Sequence, residues 1–131
     1  MHPGADDWWG GAEGDLAAAE TLRAGKHFNN AVFLARQAVD RALKALYPTL
    51  KRVELPPGHG LRAMARDLFG ELPKEIWRVL ASLDGEYTTS RHPWSTYTRP
   101  HEAYTQADAY LAVEGAREVM AWLSESLPKQ S

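Results

Sequence analysis

Cysteine is absent from this 131-residue chain. That excludes disulfide bonds, thiolate nucleophiles and cysteine-ligated metal sites. No apolar run approaches the roughly 18 residues that a membrane-spanning helix requires. β-Branched residues are few and scattered, so no convincing strand can be read. There is no glycine-rich phosphate loop of the P-loop or dinucleotide kind. His2, His27, His59, His92 and His101 include no pair at helical i, i+4 spacing, so no metal site is expected. No cofactor is expected either. The opening residues, MHPGADDWWGGAEGD, are acidic and lack a basic-then-apolar leader pattern, which makes a soluble cytoplasmic protein the expectation.

What remains is the composition of an ordinary globular domain. Hydrophobic residues make up 44% and charged residues 24%, enough for one domain with one core. A single helical domain over 1–131 is expected, with its core at about 7–125. The net charge of −2 is unevenly spread. Residues 1–22 hold five acids and no Lys or Arg, whereas residues 23–99 carry a balance of +6 and residues 100–131 one of −3. A basic middle attracts phosphate, or it pairs with the acidic ends within the chain or across a dimer.

The hydrophobic periodicity predicts an all-α, up-and-down antiparallel bundle of about five helices. The first runs from about Asp6 to Arg23, with Trp9, Ala12, Leu16, Ala19 and Leu22 on one face, and ends at Gly25. Trp8 and Trp9 are adjacent, so one faces the core and the other a side or a partner. The second helix runs from about Phe28 to Tyr47. It buries Val32, Ala35, Val39, Ala42 and Leu46, carries an Arg36–Asp40–Lys44 ion ladder, and stops at Pro48. A short third helix, about Leu61 to Phe69, closes at Gly70, and Pro73 opens a fourth striped by Ile76, Leu80, Leu83 and Tyr87. The last helix is expected from about His101 to Leu127, with Tyr104, Ala107, Leu111, Val119, Met120 and Leu123 facing in.

One stretch departs from this pattern: YTTSRHPWSTYTRPHEAY, residues 87–104. Pro93 and Pro100 disfavour helical angles at the residues before them, so the fourth helix should end by about Ser90. The residue types suit anions. Arg91 and Arg99 carry planar forks matched to phosphate oxygens. Thr88 and Ser90 add hydroxyl donors, Tyr97 a face for stacking, and His92 a group that titrates near neutral pH. The competing reading is structural: the rings plug the bundle end and Arg91 is tied to an acid such as Asp108.

The chain resembles the HEPN domain family, and its stand-alone prokaryotic branch in particular. The resemblance is carried by WWGGAEGDLAAAETLRAGKHFNNAVFLARQAVDRALKALY at residues 8–47, by HGLRAMARDL at 59–68, and by TTSRHPW at 88–94 followed by Pro100, Tyr104, Asp108 and Ala109. It implies a helical bundle that commonly forms homodimers. It also implies partnership with a separate small nucleotidyltransferase, often in toxin–antitoxin or defence pairs. Many members are metal-independent ribonucleases that use an Arg-x(4–6)-His motif. Here Arg52 and His59 have that spacing, but Pro56, Pro57 and Gly58 stand between them, and Arg91 and His92 are adjacent. The expectation is therefore a nucleotide- or RNA-phosphate-binding module centred on Arg91, Thr88, Ser90, His92, Tyr97 and Arg99. The alternatives are a ribonuclease using Arg91 and His92, or Arg52 and His59, and a purely structural interaction bundle.

Overall fold

The computed structural model describes residues 3–50, 60–91 and 104–126, with the backbone alone described at 3, 49 and 86–91. Five helices and no strand occur among them: α1 (Pro3–Ala24), α2 (Phe28–Leu50), α3 (Leu61–Phe69), α4 (Lys74–Arg91) and α5 (Gln106–Glu125). None of these helices is long and apolar enough to cross a membrane.

Cross-helix contacts set the directions. Asp15 on α1 reaches Arg41 and Gln37 on α2, and Lys44 lies over the Trp8 ring, so α1 and α2 form an antiparallel hairpin. Glu20 meets Arg117 while Arg23 lies over Tyr110, which makes α1 and α5 antiparallel. Val79 abuts Gly115, and Ile76 shares a cleft with Trp122, so α4 runs against α5. It follows that α2 and α5 are parallel and α4 opposes both. The helix α2 is the spine and packs against all four others.

Alanine lines the tightest seam. Ala5, Ala12 and Ala19 on α1 and Ala31, Ala35, Ala38, Ala42 and Ala45 on α2 are fully buried. Small side chains let helix axes approach closely, and alanine has the highest helix propensity, so local and tertiary preferences agree. Larger groups fill the space between α2 and the remaining helices: Leu43, Leu46, Leu61, Met64, Leu80, Leu83 and Leu123. Tyr47 joins them, its hydroxyl donating to the Met64 carbonyl at 3.4 Å. Burial, with the Asp67 carboxylate adding to it, pushes the Tyr47 phenol up to about 12.

The expected faces hold for α1 to α4 among the described side chains, and the Arg36–Asp40–Lys44 ladder forms at 3.7 and 2.8 Å. Five boundaries and faces differ from the sequence reading. First, α1 starts at Pro3, which places Asp6 in its first turn. Second, its stop is made by Lys26, not Gly25. Lys26 takes φ 67°, and the bonds from His27 N–H to Leu22 and from Lys26 N–H to Arg23 close a Schellman turn. Third, Pro48 lies inside α2, which continues to Leu50. In the last turn a proline removes one N–H and leaves the rest of the ladder intact. Fourth, Pro73 precedes α4 and caps it by accepting from the Trp77 N–H at 3.0 Å.

The fifth difference is the largest. The helix α5 begins at Gln106, where Thr105 and Asp108 form a reciprocal capping box. Tyr104 is buried but stands before the helix, so it does not share its phase. Counting in steps of three and four from Tyr104 therefore pointed Ala107 and Leu111 inward. Both are exposed, Leu111 at 67%, and the buried stripe is Ala109, Ala112, Val113, Ala116, Val119, Met120 and Leu123.

Candidate functional site

The antiparallel packing gathers four chain segments at one end of the bundle. They are the Gly25–His27 turn, the start of α2, the end of α4, and the start of α5. The helix α4 runs unbroken through Thr88 and Ser90 to Arg91, which puts these three expected site residues in its final turns. Their side chains, together with all of His92, Tyr97, Arg99, Arg52 and His59, lie outside the described residues. Asp108 closes the α5 capping box by accepting from the Thr105 N–H at 2.9 Å.

Asp84 organises the approach to this end. It stands two turns before Arg91, with Thr88 between them at i+4, so the three positions share one face of α4. Its carboxylate accepts from the backbone N–H groups of Leu61 at 2.8 Å and Arg62 at 3.2 Å. These are free donors at the start of α3, and Gly60 offers no side chain to cap them. Asp84 thus caps α3 from another helix. It also takes the Arg62 Nε at 3.0 Å and lies 3.9 Å from the guanidinium of Arg36 on α2. A Cβ on Gly60 would sit 3.1 Å from Asp84 Oδ1, so glycine permits this approach.

Because α2 and α4 are antiparallel and Arg36 lies opposite Asp84, positions seven residues further along fall level with each other, about 10 Å nearer the bundle end. Those positions are Asn29 and Arg91. The Asn29 carboxamide has both polar atoms buried, and neither finds a partner among the described residues. Leaving a buried amide unsatisfied costs about 1–3 kcal/mol, which singles the group out. Around the corner, Glu20 forms a close ion pair with Arg23, whose hydrogen bond holds the carboxyl below its usual range.

Sequence reading missed Asp84 and Asn29. Asp84 bonds to residues 22 and 23 positions away, so no local pattern announces it. Asn29 reads as an ordinary polar residue in a first turn until packing covers it. Arg36 was legible only as a rung of its own helix's ladder. Among the described residues no group of three His, Asp or Glu is arranged to hold a metal ion.

The family model described as HEPN domain matches residues 5–127. The fold is shared with TT1696 from Thermus thermophilus, at 28% identity and a TM-score of 0.83, over 94% of this chain and 98% of that one. It is also shared with ST0689, an archaeal HEPN homologue, at 28% identity and a TM-score of 0.80, over 95% of this chain and 98% of that one. No curated protein matches the chain.

Proposed function

For this chain, which belongs to the HEPN domain family, we propose a nucleotide- or RNA-phosphate-binding module that works through the end of the bundle where α4 finishes. The observation that carries this reading is the register of α4. Thr88 and Arg91 continue the face of Asp84, level with the buried amide of Asn29, which has no partner among the described residues. An arginine fork and a hydroxyl on α4 and a carboxamide on α2, at one end of the bundle, supply the donors that phosphate and ribose oxygens accept. The segment that follows, with His92, Tyr97 and Arg99, adds the residue types of a stacking and anion-binding surface.

Arg91→Ala is the test. A charge-assisted hydrogen bond contributes about 1.5–3 kcal/mol, so affinity for ATP and for a short single-stranded RNA should fall ten- to hundredfold by titration calorimetry. The melting temperature should stay within a few degrees. Unchanged affinity would rule the reading out. RNA cleaved in EDTA by wild type, but by neither Arg91→Ala nor His92→Ala, would replace it with a metal-independent ribonuclease.

The module acts as a homodimer, alongside a separate nucleotidyltransferase. Exposed apolar groups support self-association: Leu111 at 67%, Tyr110 at 51% and Trp8 at 39% sit on α5 and α1. Light scattering at micromolar concentration should give twice the chain mass, reduced by Leu111→Glu. A monomeric wild type would remove the dimer from the proposal.

A further inference from the structure

A second group of residues, about 21 Å along α4 from Arg91, forms a separate basic cleft. It opens between the end of α3 and the start of α4, with a volume of about 660 Å³. Trp77, half-buried, is its aromatic wall. Two guanidinium groups from α3 lie over that ring, Arg66 at 4.9 Å and Arg62 at 5.5 Å from its centroid. Arg66, Lys74 and Arg78 line the cleft with Gly70 and Leu72, and Glu71 is its one acid.

The charge balance is the informative part. In sequence, residues 62–78 hold four bases and three acids, a balance of only +1. The fold sorts them. Asp67 turns to the Tyr47 hydroxyl, and Glu75 faces another cleft with Glu118 and Glu125. Arg62 is paired with Asp84. Arg66, Lys74 and Arg78 are exposed and have no carboxylate at ion-pair distance among the described residues. Arg66, Lys74 and Arg78 thus line one cleft as like charges that repel each other, with no carboxylate at ion-pair distance among the described residues.

We infer that this cleft binds the sugar-phosphate backbone of single-stranded nucleic acid, with a base against the Trp77 ring. Bases stack on tryptophan rings and on guanidinium planes, and an open electropositive groove tracks a strand without reading its sequence. The Arg66 guanidinium, 4.9 Å from the Trp77 centroid, is a planar fork, which matches phosphate oxygens better than a lysine ammonium does. An acidic protein segment would use the cations and leave the aromatic wall unused. This inference stands on residues distinct from the α4 end and does not require that site.

The experiment is fluorescence anisotropy with a labelled twelve-nucleotide oligouridylate, on wild type, Arg66→Glu/Arg78→Glu and Arg91→Ala, across a salt series. Circular dichroism checks that each variant is folded. The double variant should bind at least about tenfold more weakly, and the slope of log affinity against log salt should shrink by about 1.4. Binding by the double variant equal to wild type overturns the inference, as does wild type that does not bind. Loss confined to Arg91→Ala overturns it while upholding the α4-end reading; loss confined to the double variant does the reverse. Displacement by polyglutamate as effective as by unlabelled oligouridylate would reassign the cleft to an acidic protein partner and overturn the nucleic-acid assignment.

Discussion

Asp84→Ala should destabilise the protein by roughly 3 kcal/mol, the low end for removing one partner from a buried ion pair, because this cluster is only partly buried. For a chain of this size that lowers the melting temperature by about 10 °C. The side chain is 14% exposed and serves two helices at once. Its loss strips the caps from the Leu61 and Arg62 N–H groups and removes a counter-charge from Arg36, itself only 13% exposed. Asp40, at 3.7 Å from Arg36 and already paired with Lys44, replaces that charge only in part. Asp84→Asn should lose about half as much, because the carboxamide oxygen still accepts from one α3 N–H. Thermal melts followed by circular dichroism decide the matter. A shift under about 2 °C for Asp84→Ala would mean that solvent caps α3 equally well.

Gly115→Leu should cost a similar amount, about 3 kcal/mol, by overpacking. Gly115 is buried in the middle of α5, where a glycine weakens a helix by about 1 kcal/mol relative to alanine. The compensation lies across the interface. A Cβ at 115 would stand 2.9 Å from a Val79 methyl, closer than carbon atoms pack. The α4 and α5 backbones therefore approach at this point, and a leucine must push them apart. Gly115→Ala should be nearly neutral, its propensity gain offset by displacement of one Val79 rotamer. Chemical denaturation of both variants checks the pair. Equal stability for Gly115→Leu and wild type would show that α4 moves away at little cost. Restored stability in Gly115→Leu combined with Val79→Ala would locate the clash at that contact.

The two cases share a lesson with the candidate site. Thr88, Ser90 and Arg91 were legible because they form a chemical anomaly at a helix end, and the helix end itself follows from proline spacing. Asn29 was not legible, because its interest comes from being covered without a partner among the described residues. The basic cleft at Trp77 was likewise invisible, since its charge excess arises only after Asp67 and Glu75 turn elsewhere.

The amino-acid order alone determined the class of fold, the five helices found among the described residues, the buried faces of α1 to α4 and the α2 ion ladder. Each of these is set by relations three, four or seven residues apart, which a helix converts directly into neighbours. It also carried the family resemblance. Tertiary structure alone decided that Asp84 caps a different helix, that Gly115 marks a close approach, and that Leu111 faces out. Those outcomes depend on which faces of distant segments meet. Helical periodicity fixes the phase within one helix and is silent about its neighbours; packing among α1, α2, α4 and α5 supplies the rest.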